Sequence, residues 1–159
     1  MARKFLADEM LGSLARWLRI MGYDTAYARD VTDSELLVQA RAEDRIVLTR
    51  DRQLAERAGE GGMFVTSDDP AEQLAEVVGR FGLRFDETRT RCTRCNGALL
   101  ERTPAEVKDR VPPLVLERQD AFLQCSWCGQ IYWHGTHWDR IVEQVGAAMG
   151  KARGGSSPR

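Results

Sequence analysis

Long apolar runs are missing from this chain: none approaches the roughly 18–20 residues that a helical bilayer span requires. An apolar region of the signal-peptide kind is missing too, because Asp8, Glu9 and Arg16 interrupt the N-terminal stretch that would hold it. The first absence excludes a transmembrane helix, so no membrane partner is expected, and the second points to the cytoplasm. Local signatures of the common catalytic engines are also wanting, with no Walker loop, no GxGxxG and no recognisable Ser/His/Asp arrangement. Cysteine does not occur before position 92, and the four cysteines that follow form two CxxC pairs. In a reducing compartment such pairs read as a metal site before they read as disulfides.

What is present describes a folded chain. A composition of 43% hydrophobic and 30% charged residues argues against intrinsic disorder, and 159 residues suffice for one real core plus a small metal-stapled module. The net charge of −1 conceals an asymmetry, with 13 Lys+Arg against 17 Asp+Glu in residues 1–90 but 10 against 7 in residues 91–159. An acidic first part and a basic second part imply different jobs, and the basic surplus permits a nucleic-acid partner without demanding one. The expected division is an α/β domain over residues 1–86, a metal ribbon with a closing helix over 87–148, and a disordered tail over 149–159. No feature sets an oligomeric state.

The chain is organised around Lys4-Phe5-Leu6-Ala7-Asp8-Glu9-Met10-Leu11-Gly12. An apolar strand ends abruptly in two carboxylates, and helical periodicity follows at once in Leu11, Leu14, Ala15 and Leu18. That helix is expected to turn Leu14, Trp17, Leu18 and Met21 inward and Arg16 and Arg19 outward, with Gly22 as its terminator. Strands are predicted over residues 3–7, 23–28, 46–49 and 63–66. Helix-opening signals follow the later ones. Thr32-Asp33-Ser34-Glu35 is a capping box that places Asp33 in a first turn. Asp51 precedes a short helix over 53–58, and Asp69-Pro70 pairs an N-cap with a proline at the first helical position.

Four β-α repeats within about 80 residues call for an open parallel sheet with helices on both faces. Right-handed crossovers bring all C-terminal strand ends to one edge, so Asp8, Asp30 or Asp33, Asp51 and Asp69 are expected to gather there. Helix capping explains Asp33 as well as function does, and explains Asp69 better. Clustered carboxylates repel one another unless a cation resolves the charge. Mg²⁺ or Mn²⁺ suits oxygen ligands and a phosphate-bearing substrate.

In the second part, Cys92-Thr93-Arg94-Cys95 and Cys125-Ser126-Trp127-Cys128, separated by 29 residues, fit a tetrahedral Cys₄ zinc ribbon whose filled shell makes the metal structural. Pro104 and Pro112-Pro113 suggest an excursion inside the ribbon. Tyr132-Trp133-His134-Gly135-Thr136-His137-Trp138, beside Arg91, Arg94 and Arg140, suits stacking on unpaired bases while guanidiniums hold phosphates. Packing of the ribbon onto its neighbour is the better account of at least two of Tyr132, Trp133 and Trp138. A closing helix is expected over 141–149.

Taken together, Phe5-Leu6-Ala7-Asp8, Leu14-Ala15-Arg16-Trp17-Leu18-Arg19, Asp33-Ser34-Glu35-Leu36-Leu37, Leu48-Thr49-Arg50-Asp51-Arg52 and the second CxxC with its aromatic run resemble the Mut-seven C-terminal RNase family. The match spans about residues 3–145. The resemblance implies a PIN-like nuclease domain fused to a zinc ribbon, cutting RNA at an acidic site that binds Mg²⁺ or Mn²⁺. It carries Asp8, Asp33 and Asp51 over as the catalytic acids. The further acid usual in PIN-like domains falls to Glu9, Glu35 or Asp69. RNA contacts are assigned to Arg16, Arg91, Arg94, Trp133 and His137, and structural zinc to Cys92, Cys95, Cys125 and Cys128. The alternative reading is a non-catalytic RNA- or ribosome-associated binding module with a degenerate PIN-like site.

Overall fold

In the computed structural model, which describes residues 3–155, each short apolar segment ends where the sequence turns polar. β1 (Phe5–Ala7), β2 (Thr25–Tyr27), β3 (Ile46–Thr49) and β4 (Gly62–Phe64) form one parallel sheet in the order β2-β1-β3-β4. Leu6 lies opposite Ala26 on one side and Val47 on the other, and Leu48 lies opposite Met63. Parallel neighbours need crossovers, supplied by α1 (Gly12–Met21), α2 (Asp33–Glu43) and α3 (Arg52–Ala58), while α4 (Pro70–Phe81) follows the last strand.

Side chains alternate across a strand, and the core divides accordingly. Phe5, Ala7 and Leu48 enter one layer with Leu14 and Leu18 of α1 and Leu74 and Val77 of α4. Leu6 and Val47 enter the other, with Leu36 and Leu37 of α2 and Leu54 of α3. Both halves of the Thr32/Glu35 capping box are formed. Gly22 ends α1 at φ 107°, and a Cβ there would also lie 2.9 Å from the Arg89 Cβ, so backbone and neighbour alike require glycine.

The second sheet is antiparallel, with β5 (Leu99–Arg102), β6 (Phe122–Cys125) and β7 (Ile131–Tyr132) in that order. The excursion announced by the prolines is two short helices, α5 (Pro104–Val107) and α6 (Pro113–Arg118). Val107, Val111, Phe122 and Ile131 make a core too small to hold a module by itself.

Three expectations need correction. The closing helix is α7 (Thr136–Gly155), longer than 141–149, and its apolar face packs on the first sheet's domain. Ile141, Val145, Ala148, Met149 and Ala152 form an apolar stripe at helical spacing, and it joins the layer that holds α1 and α4. Lys151 reaches Glu72 of α4 at 3.6 Å. Part of the predicted tail is thus helical, and residues 156–159 lie outside the described residues. Arg19, expected outward, is 7% exposed. The ribbon covers it: its Nε donates to the Thr25 carbonyl at 2.8 Å and its Nη1 to the Thr93 carbonyl at 2.7 Å.

Asn96 completes this junction. It sits at φ 73°, a conformation asparagine tolerates. Its Nδ2 donates to Asp24 Oδ1 at 2.6 Å, and its Oδ1 accepts from the Thr25 amide at 3.0 Å. Burial pushes the Asp24 carboxyl up, but hydrogen bonds from Arg45 and Asn96, with the charges of Arg45 and Arg91, outweigh it and hold the group below the usual carboxylate range. Asn96→Ala should lower stability by about 2–4 kcal/mol, since it strands the buried Thr25 amide. Asn96→Gly, relieved of the positive φ, should recover only the backbone share; unchanged urea midpoints in both would contradict the junction. Because Asp24 titrates lower when folded than its unfolded value near 3.9, its contribution is complete above that value and is lost as pH falls through the folded one. Asp24→Asn should therefore flatten the fall in stability between about pH 5 and pH 2, and identical acid-unfolding profiles would refute this.

Candidate active site and metal centre

Asp8 follows β1 directly, so the sheet aims its carboxylate at the C-terminal edge. Its Oδ1 accepts from the Glu9 amide at 2.7 Å, and its Oδ2 accepts from the Thr49 hydroxyl at 2.8 Å. Thr49 closes β3 and is fully buried; its hydroxyl oxygen in turn accepts from the Asp51 amide at 2.9 Å. One buried hydroxyl therefore links the two acids. Asp51 caps α3, with Oδ1 accepting from the Gln53 amide at 2.9 Å and the Leu54 amide at 3.3 Å. The favourable field of the helix N-terminus adds to those bonds in holding the carboxylate.

The other candidate acids stand apart or have structural duties. Asp33 is exposed in the first turn of α2. Glu9 holds the loop after β2: its Oε1 accepts from the Asp30 amide at 3.1 Å, and its carbonyl accepts from the Tyr27 hydroxyl. Glu35 reaches back to the Thr32 amide at 3.2 Å, and Asp69 Oδ2 accepts from the Glu72 amide at 3.1 Å as the cap of α4. Among the described residues, the four cysteines are the one set of three or more Cys, His, Asp or Glu whose ligand atoms lie within 4.8 Å of one another. Asp8, Asp33 and Asp51 share an edge but form no such set. Their repulsion is lower for being spread, and Mg²⁺, which keeps several waters, commonly takes only one or two carboxylates directly.

The cysteine site is closed. Cys95 and Cys125 Sγ atoms are 3.3 Å apart and Cys92 and Cys128 are 3.6 Å apart, near the roughly 3.8 Å expected of sulfurs placed tetrahedrally around one zinc. The Trp127 and Cys128 amides donate to Cys125 Sγ at 3.3 and 3.4 Å. Burial pushes that thiol up, but these two amides and the neighbouring thiols prevail and bring it down to about 6. Burial and the hydrogen bond to Cys125 push Cys95 up, to about 12. The Tyr132 hydroxyl lies 3.0 Å from Cys92 Sγ and 3.2 Å from Thr93 Oγ1, a contact that steadies the first turn from β7. Four soft sulfur donors at this spacing can bind zinc.

The predicted RNA contacts divide. Arg94 is exposed, with Nη1 donating to Gln130 Oε1 at 2.8 Å, and His137 and Arg16 are exposed as well. Arg91 is committed to the junction, its Nε donating to the Asn96 carbonyl at 2.9 Å and to Asn96 Oδ1 at 3.2 Å. Trp133 packs edge-on against Phe122 with ring centroids 6.2 Å apart, and Trp138 stacks on His134 at 4.2 Å. Ile20, Tyr132, Trp133, His137, Trp138 and Ile141 help to line a cleft of about 310 Å³ between the ribbon, the end of α1 and the start of α7. Sequence reading passed over Trp127, which is 69% exposed; the signal was its place at the tip of a CxxC turn.

Fold and site together define an α/β domain with an acidic strand-end edge, joined to a four-cysteine ribbon. The family model described as Mut7-C RNAse domain matches residues 3–145, most of the chain, and the chain belongs to that family. The family gives it a nuclease-like role. No curated protein and no solved structure matches it. Among the described residues, no helix is long and apolar enough to cross a membrane.

Gly97 is the most constrained point of the cysteine site, since a Cβ there would lie 2.6 Å from Cys125 Sγ. Gly97→Ala is expected to weaken zinc binding by about 10–100-fold, the range for a disturbed ligand support. Zinc affinity measured by competition with a chromogenic chelator would show it, and parent-like affinity would contradict the close approach.

Proposed function

We propose that the protein is a divalent-metal-dependent ribonuclease that hydrolyses phosphodiester bonds at the acidic edge and acts in the cytoplasm. The observation that carries the proposal is the Asp8–Thr49–Asp51 chain, in which one buried hydroxyl bonds the Asp8 carboxylate and the Asp51 backbone amide at adjacent strand ends of a domain from an RNase family. Asp8 and Asp51, with Asp33, would hold Mg²⁺ or Mn²⁺, and Glu9 beside Asp8 is the nearest further acid in sequence. When bound, such an ion supplies Lewis acidity toward the scissile phosphate and an activated water.

The chain's own residues do the positioning. Thr49 gives its hydrogen to Asp8 Oδ2, which fixes that carboxylate, and takes one from the Asp51 backbone amide, which fixes the Asp51 main chain. The Asp51 carboxylate itself is held by the Gln53 and Leu54 amides. The cap bonds of Asp51 fall on Oδ1, which leaves Oδ2 free of them. Exposure of Asp33 and Asp51 leaves the edge open to an extended strand. The ribbon, with zinc on Cys92, Cys95, Cys125 and Cys128, is structural, because four thiolates fill the shell. Its basic surface aids RNA binding.

One observation favours a second reading. Since no three acids among the described residues bring ligand atoms within 4.8 Å of one another, a chain that binds RNA without cutting it is the alternative. Purified protein should cleave labelled single-stranded RNA only when Mg²⁺ or Mn²⁺ is added, and Asp8→Asn should lose at least about a hundredfold in rate. Thr49→Val should lose about 10–100-fold and need more metal for half-maximal rate, while Thr49→Ser restores both. A fully active Asp8→Asn would sink the nuclease reading; RNA retained but never cut by the parent would establish the alternative.

A further inference from the structure

The two cysteine turns are built alike, so the third residue of each occupies an equivalent tip. Those residues are Arg94 in Cys92-Thr93-Arg94-Cys95 and Trp127 in Cys125-Ser126-Trp127-Cys128, and both are exposed. A single exposed apolar side chain is ordinary on a protein surface, but three features set Trp127 apart. Its backbone is held, with the amide donating to Cys125 Sγ at 3.3 Å. Its indole is aimed: it lies across the first turn at Gly97, where a Cβ would come within 3.1 Å of its Cγ and Cδ2. Glycine at that position lets the indole cross from one turn to the other while 69% of the residue stays in solvent.

Each turn also has an exposed guanidinium in its vicinity. Arg94 is steadied by Gln130 at 2.8 Å, and Arg110 places Nη1 3.8 Å from the Cβ position of Gly129, just past the second turn. An exposed aromatic face on a pair of turns that also carry arginine nearby, in the part of the chain with 10 Lys+Arg against 7 Asp+Glu, complements an unpaired base and its phosphates. We infer that the two turns form an RNA-holding tip, on which one unpaired nucleobase stacks on Trp127 while Arg94 and Arg110 hold the neighbouring phosphates. This rests on RNA as the substrate.

The tip is remote from the acids. The ribbon meets the C-terminal end of α1 through Arg19, Ile20 and Thr90, whereas Asp8 stands before the N-terminal end of that helix. The ten residues of α1 span about 15 Å. A substrate must therefore be several nucleotides long to engage both, and a dinucleotide reaches only one.

The test uses zinc-loaded full-length protein without added Mg²⁺ or Mn²⁺, so that binding is read without cleavage. Trp127→Ala should weaken binding of unpaired RNA of roughly a dozen nucleotides by at least about fivefold, the low end for a lost base stack. Trp127→Phe should keep most of the affinity, and Arg94→Gln should lower the salt slope by about one phosphate contact. With metal added, Trp127→Ala should raise the KM for RNA of roughly a dozen nucleotides while leaving kcat within about twofold. Parent-like affinity of Trp127→Ala for unpaired RNA, at equal zinc content, overturns the tip and leaves the nuclease reading standing. A parent that retains no RNA overturns the tip as well. Should Trp127→Ala lose zinc, Arg94→Gln decides: an unchanged salt slope overturns the proposal. Binding through Trp127 by a parent that never cuts removes the nuclease reading and keeps the tip.

Discussion

An open parallel sheet has to dispose of the unpaired backbone on its edge strands, and here the outer side of β2 is satisfied by groups from beyond the sheet. The Thr25 amide donates to Asn96, its carbonyl accepts from Arg19, and Asp24 gathers Arg45 and Asn96 beside them. Arg19 then reaches past the sheet to the Thr93 carbonyl inside the first cysteine turn. The two bonds to Thr25 are buried, so breaking either leaves a polar group without water or partner. Sheet edge, helix end and cysteine turn are thereby fixed against one another, and the orientation of the ribbon follows from them.

The acidic edge uses the same economy of parts. Asp51 serves α3 as its cap and the edge as a carboxylate, and Thr49 is both the last residue of β3 and the bridge to Asp8. The groups that hold the local structure also set the acids' orientation. Glu35 and Asp69 likewise serve as capping acids, of α2 and α4.

Much of this was legible in the sequence because it is local. The ends of β1 and β3, the Thr32/Glu35 box, the Asp69-Pro70 start and the CxxC pairs are each written within a few residues and lie where expected, while β2 and β4 stop one and two residues short of their expected ends. What escaped depends on distant partners. Arg19 reads as a solvent residue from the periodicity of α1, since nothing near it announces a cover that arrives 74 positions later. Arg91 and Trp133 look available for RNA in a motif rich in aromatics and arginine, yet the junction and the ribbon core consume them. The stripe on α7 marks a buried face without saying which body buries it.

That last helix has a bearing on how the chain comes into being. Val145, Ala148 and Ala152 belong to the same hydrophobic layer as Phe5 and Leu14, so the first sheet has its full core only after the ribbon has been made and passed. During synthesis, α4 must wait with its apolar flank uncovered while more than fifty further residues emerge. Contacts of such long sequence separation are slow to form, and a nascent chain in that state is exposed to misassociation. The ribbon is thus less an appendage than a bracketed insertion, and the fold closes around it from both ends of the chain.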